Sequence, residues 1–214
     1  MKKTKKELFE LEILMPESIG ELQSRGGIPV PDSINEWQDI IDRRLFVNEI
    51  VTSDIVGYIG YYIEKWNRED DFLELEGSNR KPITILINTD GGALEETLFI
   101  CDVMAMSKTK IITRVQAKAY SAGGMFLIAG HERQCTSSST FLLHSGNVGA
   151  QGNLHSVLDT MDFVKKTELL VKKFFLENTK IPEELYDKNY TKEWYLTSSE
   201  MLEYGIVDKI LGGI

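Results

Sequence analysis

Ile83-Thr84-Ile85-Leu86-Ile87-Asn88-Thr89-Asp90-Gly91-Gly92 is the stretch whose reading decides the fold. Ile83 to Asn88 form a β-branched apolar run, which suits a strand buried on both faces. Asp90-Gly91-Gly92 then turns the chain into a helix expected from about Leu94 to Met106. A strand covered on both faces and followed at once by a helix is half of a βαβ unit. The same alternation recurs on either side of it, which implies a parallel sheet with right-handed crossovers.

Upstream, Arg44 to Val51 reads as a strand, and Ser53 and Asp54 can cap a helix running to about Trp66. Residues Asn67 to Lys81 are polar and contain Gly77-Ser78-Asn79, so a loop is expected there. Downstream, Ile111 to Val115 is the next strand. A short apolar helix, Ala122 to Ala129, follows Ser121 and is stopped by Gly130. Phe141 to His144 is a further short strand, and Val148 to Asn153 a flexible turn. A long helix spans roughly Leu154 to Asn178, with an apolar stripe that includes Val157, Leu158, Met161 and Phe175. Pro182 begins another helix, and Ser198 to Tyr204 a last one ended by Gly205. Residues 44–214 are thus read as one α/β domain. Residues 1–43 are read as an N-terminal arm and linker, in which Arg25-Gly26-Gly27-Ile28-Pro29-Val30-Pro31 must be extended or turned.

The formal charge of −9 argues against a non-specific nucleic-acid binder, which needs clustered Lys and Arg for phosphate. Lys2-Lys3-Thr4-Lys5-Lys6 opens the chain, but Glu7, Glu10 and Glu12 interrupt any apolar run, so no signal peptide is expected. No apolar stretch reaches membrane-spanning length. Cys101 and Cys135 form no CxxC pair, and His131, His144 and His155 stand at no ligand spacing. The expectation is a cytoplasmic protein with reduced thiols and neither a metal nor an organic cofactor.

Acyl transfer by serine needs a hydroxyl on a tight turn, an imidazole within reach and donors aimed at the developing oxyanion. Ser121, in Ala119-Tyr120-Ser121-Ala122-Gly123-Gly124, follows a strand and opens a helix. Such a serine can be a nucleophile or simply a helix cap. The N–H of Ala122 would point toward a carbonyl attacked by Ser121. Gly91-Gly92 ends a neighbouring strand, where open α/β sheets place their sites, and offers a second bare N–H. Phosphate binding is the other use of such a turn, but Asn88 to Gly92 has neither the GxGxxG nor the P-loop spacing, and Asp90 would repel phosphate. His144 ends a strand one connection after Ser121 and is the candidate general base. His131, in a polar loop, is read as solvated, and His155 as surface or cap material.

Asn88 to Gly92, Ala119 to Gly124, Phe141 to His144, Gly149-Ala150-Gln151-Gly152 and Leu202 to Ile210 occur in that order with compatible spacing. Together they resemble the proteolytic subunit of Clp protease, the ClpP family, over about Arg44 to Leu211. The resemblance implies a crotonase-like α/β fold with a protruding handle helix, matched here by the helix from Leu154 and the Gly149–Gly152 strand-turn. It implies a serine endopeptidase with a Ser-His-acid triad, and an oxyanion hole from the N–H groups of Gly92 and Ala122. It further implies homo-oligomeric heptameric rings, two of them stacked into a chamber, and an AAA+ unfoldase that feeds in protein substrates.

Counted back without gaps from Glu203 to Asp208, the family's acid falls on Glu193. A slip in that count nominates Asp187 instead, or the non-ionic Asn189. Asp90 stands where the family usually has proline, and Ser145-Gly146 where it commonly has Gln-Pro. Two other classes stay open at this stage. One is a catalytically weak structural subunit that co-assembles with an active relative. The other is a different chemistry on the same fold, either acyl-CoA turnover or a serine–lysine peptidase, for which Lys118 is the nearest lysine in sequence.

Overall fold

A computed structural model describes residues 38–212, so most of the N-terminal arm lies outside the described residues. After a helical turn at residues 38–41, the elements are β1 (Arg44–Val47), α1 (Ser53–Phe72), β2 (Ile83–Thr89), α2 (Leu94–Met106), β3 (Ile111–Tyr120) and α3 (Ala122–Ile128). They continue with β4 (Glu132–Thr136), β5 (Thr140–Leu143), α4 (Leu154–Asn178), α5 (Glu183–Tyr190), β6 (Trp194–Thr197), α6 (Ser198–Glu203) and β7 (Lys209–Leu211). The sheet runs β1-β2-β3-β4-β7, all parallel. As the β-branched run predicts, β2 lies inside the sheet with Ile83, Ile85, Leu86 and Ile87 all buried.

One irregularity in β3 sets the site. Ile87 pairs with Val115, yet Thr89, two residues on, pairs with Ala119. The extra residues of β3 form a bulge around the exposed Gln116 and Ala117. Before the bulge β3 pairs with β4, and after it with β5. The sheet therefore forks, and its second branch is β3-β5-β6, with β6 antiparallel to β5.

Several boundaries differ from the sequence reading. The strand expected to reach Val51 ends at Val47, and Val51 survives as an isolated bridge to Gly92. No side chain caps α1, whose N-cap position is Thr52. The expected loop from Asn67 is helical through Phe72, because its polar residues are anchors. Asp70 is fully buried, accepting from Arg43 at 2.7 and 2.8 Å and from Thr109 Oγ1 at 2.8 Å. Asn67 Oδ1 accepts the N–H groups of Lys108 and Thr109, and Asp71 is paired with Arg80 and Lys108.

The polar stretch after Gly130 is not a loop but strand β4. Its charges are matched across the sheet, Glu132 to Lys110 and Arg133 to Asp208. His131 is exposed, as expected, and its Nδ1 also accepts the Ile111 N–H at 3.0 Å. Strand β3 runs on from Val115 to Tyr120, and β6 and β7 are further strands beyond those expected from the sequence. The Gly149–Gly152 segment forms no strand. No strand of the described chain borders it, and unpaired β backbone has no bonding advantage over hydrated coil. The helix from Leu154 has the expected limits. No helix among the described residues is long and apolar enough to cross a membrane.

Candidate active site

The forked sheet brings three strand ends to one edge. Tyr120 pairs with Leu142, and Leu142 with Tyr195, so these residues form a row across β3, β5 and β6. Ser121 lies one residue beyond that row, just past the end of β3, and His144 two beyond it, just past the end of β5. Because β6 is antiparallel, the same direction leads back along the chain to Glu193. Three sequence-distant candidates thus share an edge through strand register alone.

Ser121 has φ 53° and ψ −125°, an unusual conformation for a residue with a side chain. Its N–H donates to the Leu142 carbonyl at 2.9 Å, and its own carbonyl accepts from Gly124 at 2.9 Å. These bonds hold a sharp strand-to-helix elbow, and the Ser121 side chain makes no cap hydrogen bond. Of the two readings, the cap therefore lacks its defining bond. Every residue of α3, Ala122 to Ile128, is buried, which anchors the elbow from behind.

The Gly91-Gly92 turn packs directly on this elbow. Gly91 has φ 102°, and a Cβ there would fall 2.6 Å from the Tyr120 carbonyl oxygen and 2.8 Å from Ser121 Cβ. A Cβ on Gly92 would meet Val51 O at 2.2 Å. Only glycines allow these three segments to meet so closely. Val51 clasps the turn through its N–H to Gly91 O at 2.8 Å and its carbonyl to Ala93 N–H at 3.0 Å. The N–H groups of Gly92 and Ala122 donate to no acceptor among the described residues. Gly92, Ser121, Ala122 and His144 all line one cleft of about 700 Å³. Its apolar lining includes Met125, Leu143, Val171 and Phe175.

His144 Nδ1 lies 3.1 Å from Glu193 Oε1, and Tyr195 donates its hydroxyl to Glu193 Oε2 at 3.3 Å. A proton on Nδ1 donated to the carboxylate leaves Nε2 as the accepting nitrogen of a neutral ring. Asp187 is engaged elsewhere, with Lys172 at 2.7 Å, and Asn189 donates to the Leu185 carbonyl. Lys118 Nζ bonds both oxygens of Asp90 at 2.6 Å, an ion pair across β3 and the end of β2. That pair accounts for an aspartate before the paired glycines.

Both cysteines are buried and free. Burial pushes the Cys101 thiol up to about 12 and the Cys135 thiol up to about 11, so neither supplies thiolate at neutral pH. His155 is exposed in the first turn of α4. No three His, Cys, Asp or Glu side chains among the described residues converge as metal ligands. Sequence reasoning missed Tyr195 and strand β6. The β-favouring run Trp194-Tyr195-Leu196-Thr197 was the available signal.

A family model described as Clp protease matches residues 65–213. The match begins in the second half of α1 and covers more than half of the chain, including Ser121, His144, Glu193 and the Gly91-Gly92 turn.

Proposed function

Because the chain belongs to the Clp protease family, we propose that it is a serine endopeptidase subunit in which Ser121, His144 and Glu193 act as a triad. The contact between His144 Nδ1 and Glu193 Oε1 carries this reading, since it orients an imidazole on the sheet edge that ends in Ser121. The chemistry follows from the groups in place. Neutral His144 accepts the Ser121 proton at Nε2 as the hydroxyl oxygen attacks a peptide carbonyl. The Glu193 carboxylate stabilises the imidazolium that results. The oxyanion of the tetrahedral intermediate accepts the N–H groups of Gly92 and Ala122. His144 then returns its proton to the departing amine, leaving an acyl group on Ser121. A water molecule deprotonated by His144 releases the acyl group in the same way.

The apolar lining suits a substrate side chain of similar character beside the scissile bond. The family supports an oligomeric protease with protein substrates. We extend this to homo-oligomeric heptameric rings, stacked in pairs through α4 and served by an AAA+ unfoldase, working in the cytoplasm. Residues 1–43 remain the proposed arm of the same particle.

A fluorophosphonate probe tests the triad. It is expected to label Ser121 in the wild-type protein and to lose at least about a hundredfold in rate in His144→Ala. Glu193→Ala is expected to slow peptide cleavage by about tenfold or more, while Asp187→Ala and Lys118→Met change it less than about twofold. Absence of labelling in the assembled particle refutes the peptidase reading and favours the structural subunit. A large loss in Lys118→Met would instead favour a serine–lysine mechanism.

A further inference from the structure

We propose that Tyr195 is a positioning residue, whose hydroxyl holds the Glu193 carboxylate against His144. The proposal rests on the triad reading above. The Glu193 side chain is 58% exposed, and its hydrogen-bonding partners among the described residues are His144 Nδ1 and the Tyr195 hydroxyl. A glutamate has one more rotatable bond than an aspartate, so an exposed one has more ways to leave its partner. Here both oxygens are occupied, Oε1 by His144 and Oε2 by the Tyr195 hydroxyl. Two anchors fix the plane of the carboxylate, where one would leave it free to swing.

Tyr195 is 57% exposed, and its ring is braced on one side by an aromatic neighbour. It stands edge-on to Tyr120, with centroids 5.7 Å apart and planes at 83°. The Tyr120 hydroxyl is in turn bonded to Thr140 Oγ1 at 2.9 Å. Tyr120 immediately precedes Ser121, so one aromatic pair braces the strand that delivers the nucleophile against the strand that delivers the acid. His144 comes from the strand between them. Desolvation and the neighbouring Glu193 charge hold the Tyr195 phenol above its ordinary value. It therefore stays a protonated donor through neutral and mildly alkaline pH.

The test is a double-mutant cycle on the full chain, using a fluorogenic peptide and the fluorophosphonate probe. Tyr195→Phe removes the hydroxyl alone and keeps the ring against Tyr120. Its kcat is expected to fall about fivefold with KM within about twofold of wild type, because only the orientation of His144 is loosened. In a Glu193→Ala background the same substitution is expected to change nothing further, since Tyr195 acts through that carboxylate. An unchanged kcat in Tyr195→Phe overturns the proposal. So does an equal fall in both backgrounds, which would make Tyr195 a support of the strand and nothing more. Failure of the triad reading is seen separately, as a wild-type protein that the probe does not label at Ser121, and it removes the proposal with it.

Discussion

Helices α3 and α4 lie on either side of the same cleft and are built on opposite principles. All seven residues of α3 are buried, and its segment carries no charge. Of the 25 residues of α4, only Thr167, Val171 and Phe175 are buried, all in its second half. Its first half leaves Leu154, Leu158, Met161 and Phe163 exposed. The short helix is a structural plug that fixes where Ser121 sits. The long one buries three residues in its second half and leaves large apolar side chains exposed along its whole length, Leu169 and Leu170 among them. Burial in one chain explains α3 completely and α4 only in part, and it is these exposed apolar side chains that the proposed ring stacking would cover.

This contrast can be broken at three points. Phe175, 1% exposed and edge-on to Phe141, should behave as core although it belongs to α4. Phe175→Ala is expected to cost about 3–5 kcal/mol in urea unfolding. A loss below about 1 kcal/mol would show that the C-terminal turns of α4 are as detached as the first. Gly91→Ala should cost about 2–4 kcal/mol, because its Cβ meets the Tyr120 carbonyl and the backbone is left-handed there. It should also abolish labelling of Ser121 by displacing the elbow. Stability and activity measured on one preparation would show whether the two losses go together. Leu158→Ser should change the stability of the single chain by less than about 0.5 kcal/mol, as its side chain is already exposed. Its effect should appear in native mass or sedimentation, as a smaller particle. A destabilised monomer with unaltered assembly would place that face against its own chain.

Much of the framework was legible in residues 44–211. The alternation of strand and helix, the limits of α2 and α4, and the two glycine turns all follow from local pattern. Periodicity, turn chemistry and β-branching are local properties, so a sequence displays them directly. Two of the misread segments have polar residues that are satisfied at a distance. Asp70 is buried against Arg43, and Arg133 is matched to Asp208 across the sheet. Neither pairing leaves a trace in the neighbouring residues, so a helix end and a whole strand read as loops.

For the site the division is sharper. Sequence alone nominated Ser121, His144 and the donors at Gly92 and Ala122, because each sits at a recognisable turn or strand end. The count implied by the resemblance put the acid on Glu193, with Asp187 or Asn189 as the outcome of a slip, and nothing in that polar stretch fixes the alignment. Tertiary structure placed Glu193 against His144 and Asp187 against Lys172. The physical reason is the register of β6. An antiparallel strand brings the residue before Trp194 back to the edge where β3 and β5 end, and pairing between strands is a property no single stretch of chain contains.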